Sequence, residues 1–166
     1  MDKKMADLMA AMIEYDKGDA RRIQHLVKVH DLAVTIGVLE KIPADELYVL
    51  EAAAILHDIG IHKSEEKYNS SAGRYQELEG PGEAEKLLCR MGTFTNSQIN
   101  RIKYLIGHHH TYDDIQGMDY RILVEADFLV NLYEDGLPLS AVKNVLEKIF
   151  RTDAGTRLLK DMYAVE

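Results

Sequence analysis

The chain has 166 residues, 46% hydrophobic and 29% charged, and a formal net charge of −8, enough length for one substantial core but no basic stripe to hold a nucleic acid polymer. Its one cysteine, Cys89, rules out an intramolecular disulfide and any zinc site made of several thiolates. No apolar run reaches the roughly 18 residues of a bilayer span, so the expectation is a cytoplasmic protein with no membrane partner.

In chain order, almost every segment has helical period and none shows sustained strand alternation. The start, MDKKMADLMAAMIEYDKGDA, is interrupted by Asp7, Glu14 and Asp16 and reads as an amphipathic helix over about 2–16, not a leader. A second helix is predicted over about 20–39 with Asp19 as its N-cap, and a third over about 44–57 opened by Pro43 and followed by Gly60. Residues 59–79, IGIHKSEEKYNSSAGRYQELE, read as a long polar loop of the kind that carries function. Helices are expected at about 81–91, 97–109 (capped by Thr95 or Asn96), 118–134, 139–150 and 154–164. Cys89, within AEKLLCRM, is expected to be an ordinary buried side chain.

Several polar residues fall on apolar stripes. Val29, Leu32 and Ile36 follow His25 at helical spacing, which puts His25 on the inner face and His30 towards the opposite one. The run AAAILHDIG ends an apolar helix in His57-Asp58, although an unpaired buried carboxylate is costly. His109 and His110 continue the Ile99–Ile102–Ile106 stripe, while His108 is angled towards solvent. Asp127 sits mid-helix among Leu123, Val124 and Val130. Any one of these could be a satisfied core residue. Four helices each bringing His or Asp to an apolar face is instead the pattern of a metal site in a helical bundle.

The order His25, His57-Asp58, Asp127, in the contexts RIQHLVKVHDLA, AAAILHDIG and ILVEADFLVNL, resembles the HD-domain superfamily of metal-dependent phosphohydrolases over roughly residues 20–132. The resemblance implies an all-α, single-domain HD-type bundle of about six to eight helices spanning 1–166, with helices at about 139–164 completing it. It implies that His25, His57, Asp58 and Asp127 ligate a divalent metal: manganese, iron, nickel, cobalt, zinc or magnesium. A second ion would use His109, His110 and Glu79, because EGPGEAEKLL can be laid on the family's helix start with Glu79 in place of its histidine. Many members follow HDIG with a phosphate-touching lysine; here Ile61 stands there, with His62 and Lys63 just beyond. No glycine–tyrosine–proline motif follows the histidine pair, which separates the chain from cyclic-di-GMP phosphodiesterases.

The implied function is hydrolysis of a small phosphorylated molecule, nucleotides included, by metal-activated water, with Asp58, Glu79 and His109 as candidate groups for proton transfer. Arg22, Lys63 and Arg74 are the candidate substrate contacts. Two alternatives stand beside it: a di-iron oxygenase of the same superfamily, and a helical module that binds metal or ligand without chemistry. The apolar faces of the first and last helices suit a homodimer.

Overall fold

The computed structural model describes all residues, 1–166, as nine helices and no strand. They are α1 (Lys3–Tyr15), α2 (Ala20–Leu39), α3 (Ala44–Leu56), α4 (Ile61–Tyr68), α5 (Gly73–Met91), α6 (Asn96–Ile106), α7 (Met118–Glu134), α8 (Leu139–Lys148) and α9 (Asp153–Tyr163).

The central helix is α3. Every residue from Val49 to Leu56 is buried, so this helix has no solvent face over its second half. Around it pack α1, α2, α6 and α7, and α5 reaches the bundle through α4 and α6. One apolar cluster runs through them and includes Leu26, Val29 and Ile36 of α2, Leu50 and Ile55 of α3 and Leu123 and Leu129 of α7. Helix ends follow local chemistry. Asp19 caps α2 by accepting from the Arg22 N–H at 3.0 Å, and Thr95 and Gln98 form a reciprocal capping box on α6. No helix is long and apolar enough to cross a membrane.

The segment 59–79 differs from its expected loop. It contains α4 and the first two turns of α5, which runs straight through Gly80-Pro81-Gly82. Pro81 forfeits the bond to the Glu77 carbonyl, a cost of about 3 kcal/mol in an isolated helix. Packing holds the helix in place: Gln76, Gly80, Ala84 and Leu88 form a buried stripe at spacing four. Gly60 belongs to the same contact. It is not a left-handed helix cap, having φ −75°, but the point where the backbone of the His57–Gly60 turn touches α5. A Cβ there would stand 2.7 Å from the Gln76 carbonyl oxygen and from the Gly80 nitrogen.

Two side chains also differ from expectation. His30 is buried, 3.1 Å from Glu51 of α3, a partner in another helix that periodicity within α2 cannot reveal. Cys89 is exposed, because it lies one residue past the buried Leu87–Leu88 edge of α5.

Candidate metal centre

The four positions His25, His57, Asp58 and Asp127 converge. His25 Nε2 lies 3.3 Å from His57 Nε2, 3.3 Å from Asp127 Oδ1 and 3.6 Å from Asp58 Oδ2. His57 Nε2 lies 3.6 Å from Asp127 Oδ1 and 3.8 Å from Asp58 Oδ1. Donors bound to one ion at about 2.0–2.2 Å stand roughly 3–3.5 Å from each other, so this spacing suits a common cation.

Each imidazole is turned by a bond on its far nitrogen. His57 Nδ1 donates to the Ala54 carbonyl at 2.9 Å, and His25 Nδ1 faces Glu134 Oε2 at 3.0 Å. Donation from Nδ1 leaves Nε2 with its lone pair towards the site. Asn131 steadies the Asp127 carboxylate by donating to its Oδ1 at 2.8 Å. Asp127, Asn131 and Glu134 stand at i, i+4 and i+7 of α7, a polar stripe that could have drawn attention to Asn131 and Glu134 in the sequence.

The electrostatics fit a cation. Burial works to lower the His25 imidazole, but its hydrogen bond to Asp127 and the charges of Asp58 and Asp127 prevail and raise it to about 9. Burial works to raise Asp58 and Asp127; the imidazoles around them prevail and hold both carboxyls well below the usual range. The cluster therefore gathers anionic oxygens that attract positive charge, which a divalent ion supplies more fully than a proton.

A second donor group adjoins the first. Asp58, His109 and His110 offer atoms all within 4.8 Å of one another. His109 Nδ1 donates to the Ile106 carbonyl at 2.7 Å, and Nε2 is 3.4 Å from Asp58 Oδ1, fully buried and without a hydrogen bond. A buried nitrogen with no partner is costly, and a metal would satisfy it. His110 seats its ring against Gly73, where a Cβ would come within 2.7 Å of it, and faces Gln76 Oε1 at 3.1 Å. Burial, then the neighbouring His109, lowers the His110 imidazole to about 4. His108 points away, its Nδ1 donating to the Tyr104 carbonyl.

Glu79 is not brought to this group. Its Oε1 accepts from Lys67 at 2.8 Å and Tyr68 at 2.7 Å, and Gln76, one turn earlier on α5, is what faces His110. Among the three candidate substrate contacts, Arg22 lines the same cavity as His25 and Asp58. Lys63 pairs with Glu66 at 2.7 Å, and Arg74 lies over the Tyr75 ring, both outside that cavity wall. Behind Arg22 lies a feature with no warning in the sequence: Asp16 is fully buried, with neither carboxylate oxygen accepting a hydrogen bond, 3.1 Å from His62 Nε2.

No protein-family model matches the sequence, and none of the curated proteins is similar to it. Among solved structures, the fold is similar to a crystal structure described as a predicted HD superfamily hydrolase from an uncultured Thermotogales bacterium. The TM-score is 0.70 and the identity 24%, over 96% of this chain and 84% of the other. The chain therefore has the HD-type all-helical fold.

Proposed function

We propose that this protein is a metal-dependent hydrolase of phosphate esters acting on a small phosphorylated molecule. The observation that carries the reading is the set of inward-facing Nε2 and carboxylate atoms 3.3–3.8 Å apart beside an open polar cavity. The hydrolase description of the structural neighbour supports the reaction class.

His25, His57, Asp58 and Asp127 would hold the metal, which when bound would supply a Lewis acid for a phosphoryl oxygen and lower the pKa of a water. The chain's own groups do the rest. Arg22, whose side chain lines the cavity and is only 12% exposed, binds and orients the phosphate oxygens. With a single ion bound at the first donor group, His109 Nε2 keeps its lone pair, and it and Asp58 Oδ1, 3.4 Å apart, handle the proton of the attacking water. Lys67 and Tyr68 engage Glu79, which leaves Asp58 and His109 as the proton-handling pair.

The Asp58–His109–His110 group favours a second reading specifically: a two-iron oxygenase, which needs a second metal position. Elemental analysis of protein purified without chelator, with Asp58→Ala as control, separates the two. A redox-inert metal together with phosphate release supports the hydrolase. About two irons per chain, with oxygen uptake and no phosphate release, would replace it by the oxygenase.

A further inference from the structure

The cavity beside the metal ligands encloses about 460 Å³, room for a sugar-sized group as well as a phosphate. Of its twelve lining residues only Ile61 is hydrophobic and none is phenylalanine, tyrosine or tryptophan; the one ring, the His25 imidazole, is committed to His57, Asp127 and Glu134. A nucleobase is normally recognised by a ring or an apolar wall on which its face stacks, and no such wall lines this cavity.

The charges at the wall are just as informative. Besides Asp58, it carries the carboxylates of Asp19, Glu65, Glu134 and Asp135 against the guanidinium groups of Arg21 and Arg22. One phosphate dianion can be met by a metal and by Arg22, whose Nη2 is held between Asp19 at 3.3 Å and Glu65 at 3.4 Å while its buried Nη1 has no partner. A triphosphate would press further anionic oxygens against the acidic wall. Asn131 uses its amide nitrogen on Asp127, so its oxygen, with the carboxylate of Asp135, offers acceptors. Such a wall calls for a partner rich in hydroxyl donors.

We infer that the substrate is a phosphate monoester of a small polyhydroxylated molecule, a sugar or polyol phosphate, and not a nucleotide. The inference rests on the phosphoester reading of the site and deepens it: the metal and Arg22 take the phosphate, and the carboxylate–amide wall takes the hydroxyls.

The test is calorimetric titration of the manganese-loaded full chain with glycerol phosphate, a hexose monophosphate, adenosine monophosphate and adenosine triphosphate. A hydroxylated monophosphate is expected to bind at least about tenfold tighter than either adenosine compound. Equal or tighter binding of adenosine monophosphate or triphosphate overturns the inference, as does failure of all four to bind. Phosphate release from the same compounds judges the chemistry separately. Binding of the hydroxylated compounds without release sinks the hydrolase reading and leaves the recognition standing. Release with a preference for nucleotide does the reverse. Asp135→Ala, at an exposed position, is expected to erase the preference without altering metal content; an unchanged preference would show that this wall does not set it.

Discussion

His57 and His109 are held by the same device on two different helices. Each donates Nδ1–H to the carbonyl three residues back, at 2.9 Å to Ala54 and 2.7 Å to Ile106, and the rings meet edge to face with centroids 5.2 Å apart. In both cases a helix ends, its last turn supplies the carbonyl, and the imidazole that caps it delivers Nε2 to the same point. Asp58 lies between them, 3.8 Å from one Nε2 and 3.4 Å from the other.

Asp58 is therefore the carboxylate that both donor groups share. Asp58→Ala is expected to remove bound metal to below about a tenth of the wild-type content and to abolish hydrolysis with it. Elemental analysis and a phosphoester assay on the same sample check this. Activity retained in the variant would exclude the proposed site.

Glu134 touches no metal donor atom, yet it orients His25 through Nδ1 and is itself paired with Lys28. Its carboxyl feels burial, which raises it, but the bonds from Lys28 and His25 prevail and lower it. Glu134→Gln is expected to weaken metal affinity by about 10–100-fold while the far-ultraviolet circular dichroism stays that of the wild type. Competition against a fluorescent chelator measures the affinity. An unchanged value would mean that His25 is set by packing alone.

Asp16 gives a pH dependence. Burial, opposed by His62 and Arg22, raises its carboxyl from 3.8 to about 6. The folded state thus holds this proton more tightly than the unfolded one. The contribution to stability is fully present below pH 3.8 and is lost as the pH rises through about 6. Asp16→Asn is expected to remove this fall, leaving the variant relatively more stable near neutral pH with no such gain in acid. Denaturant melts of both proteins across that range check it; parallel curves would contradict the assignment.

Glycine substitutions separate contact from propensity. At Gly60 an added Cβ meets backbone of α5 at 2.7 Å, whereas at Gly82 nothing lies within 4 Å. Gly60→Ala is expected to cost about 3 kcal/mol or more, because backbone on both sides must move. Gly82→Ala is expected to be neutral or to stabilise by up to about 1 kcal/mol through helix propensity. Thermal melts of the two variants give the comparison, and equal effects would refute the packing account.

Much of this was legible from side-chain spacing. The apolar stripes of α2 and α7 are complete enough that His25 and Asp127 stand out as exceptions, and Asp19 and Thr95 mark their helix starts by the chemistry of their side chains. The beginning of α5 was illegible for a definite reason. Its buried stripe opens with Gln76 and Gly80 instead of apolar residues, and Pro81 follows, so every local signal opposed a helix that packing sustains. Glu79 looked like a donor because the resemblance lays the family's helix start at Glu79; with α5 beginning at Gly73 instead, its rotation gives Gln76 to His110 and Glu79 to Lys67 and Tyr68. The His30–Glu51 pair and buried Asp16 depend on which helix lies opposite, and no single helix encodes that.

Because α3 and α6 both end at the candidate metal centre, both direct the negative pole of their macrodipoles at one spot already occupied by Asp58 and Asp127. Without a cation the surrounding imidazoles alone offset this negative charge; a bound dication would offset it further, and its binding energy would add to the free energy of unfolding by mass action. The centre would then serve the scaffold as well as the reaction. In metal-poor surroundings the chain would lose resistance to unfolding along with its chemistry, so the supply of the ion would govern how long the protein lasts as well as how fast it works.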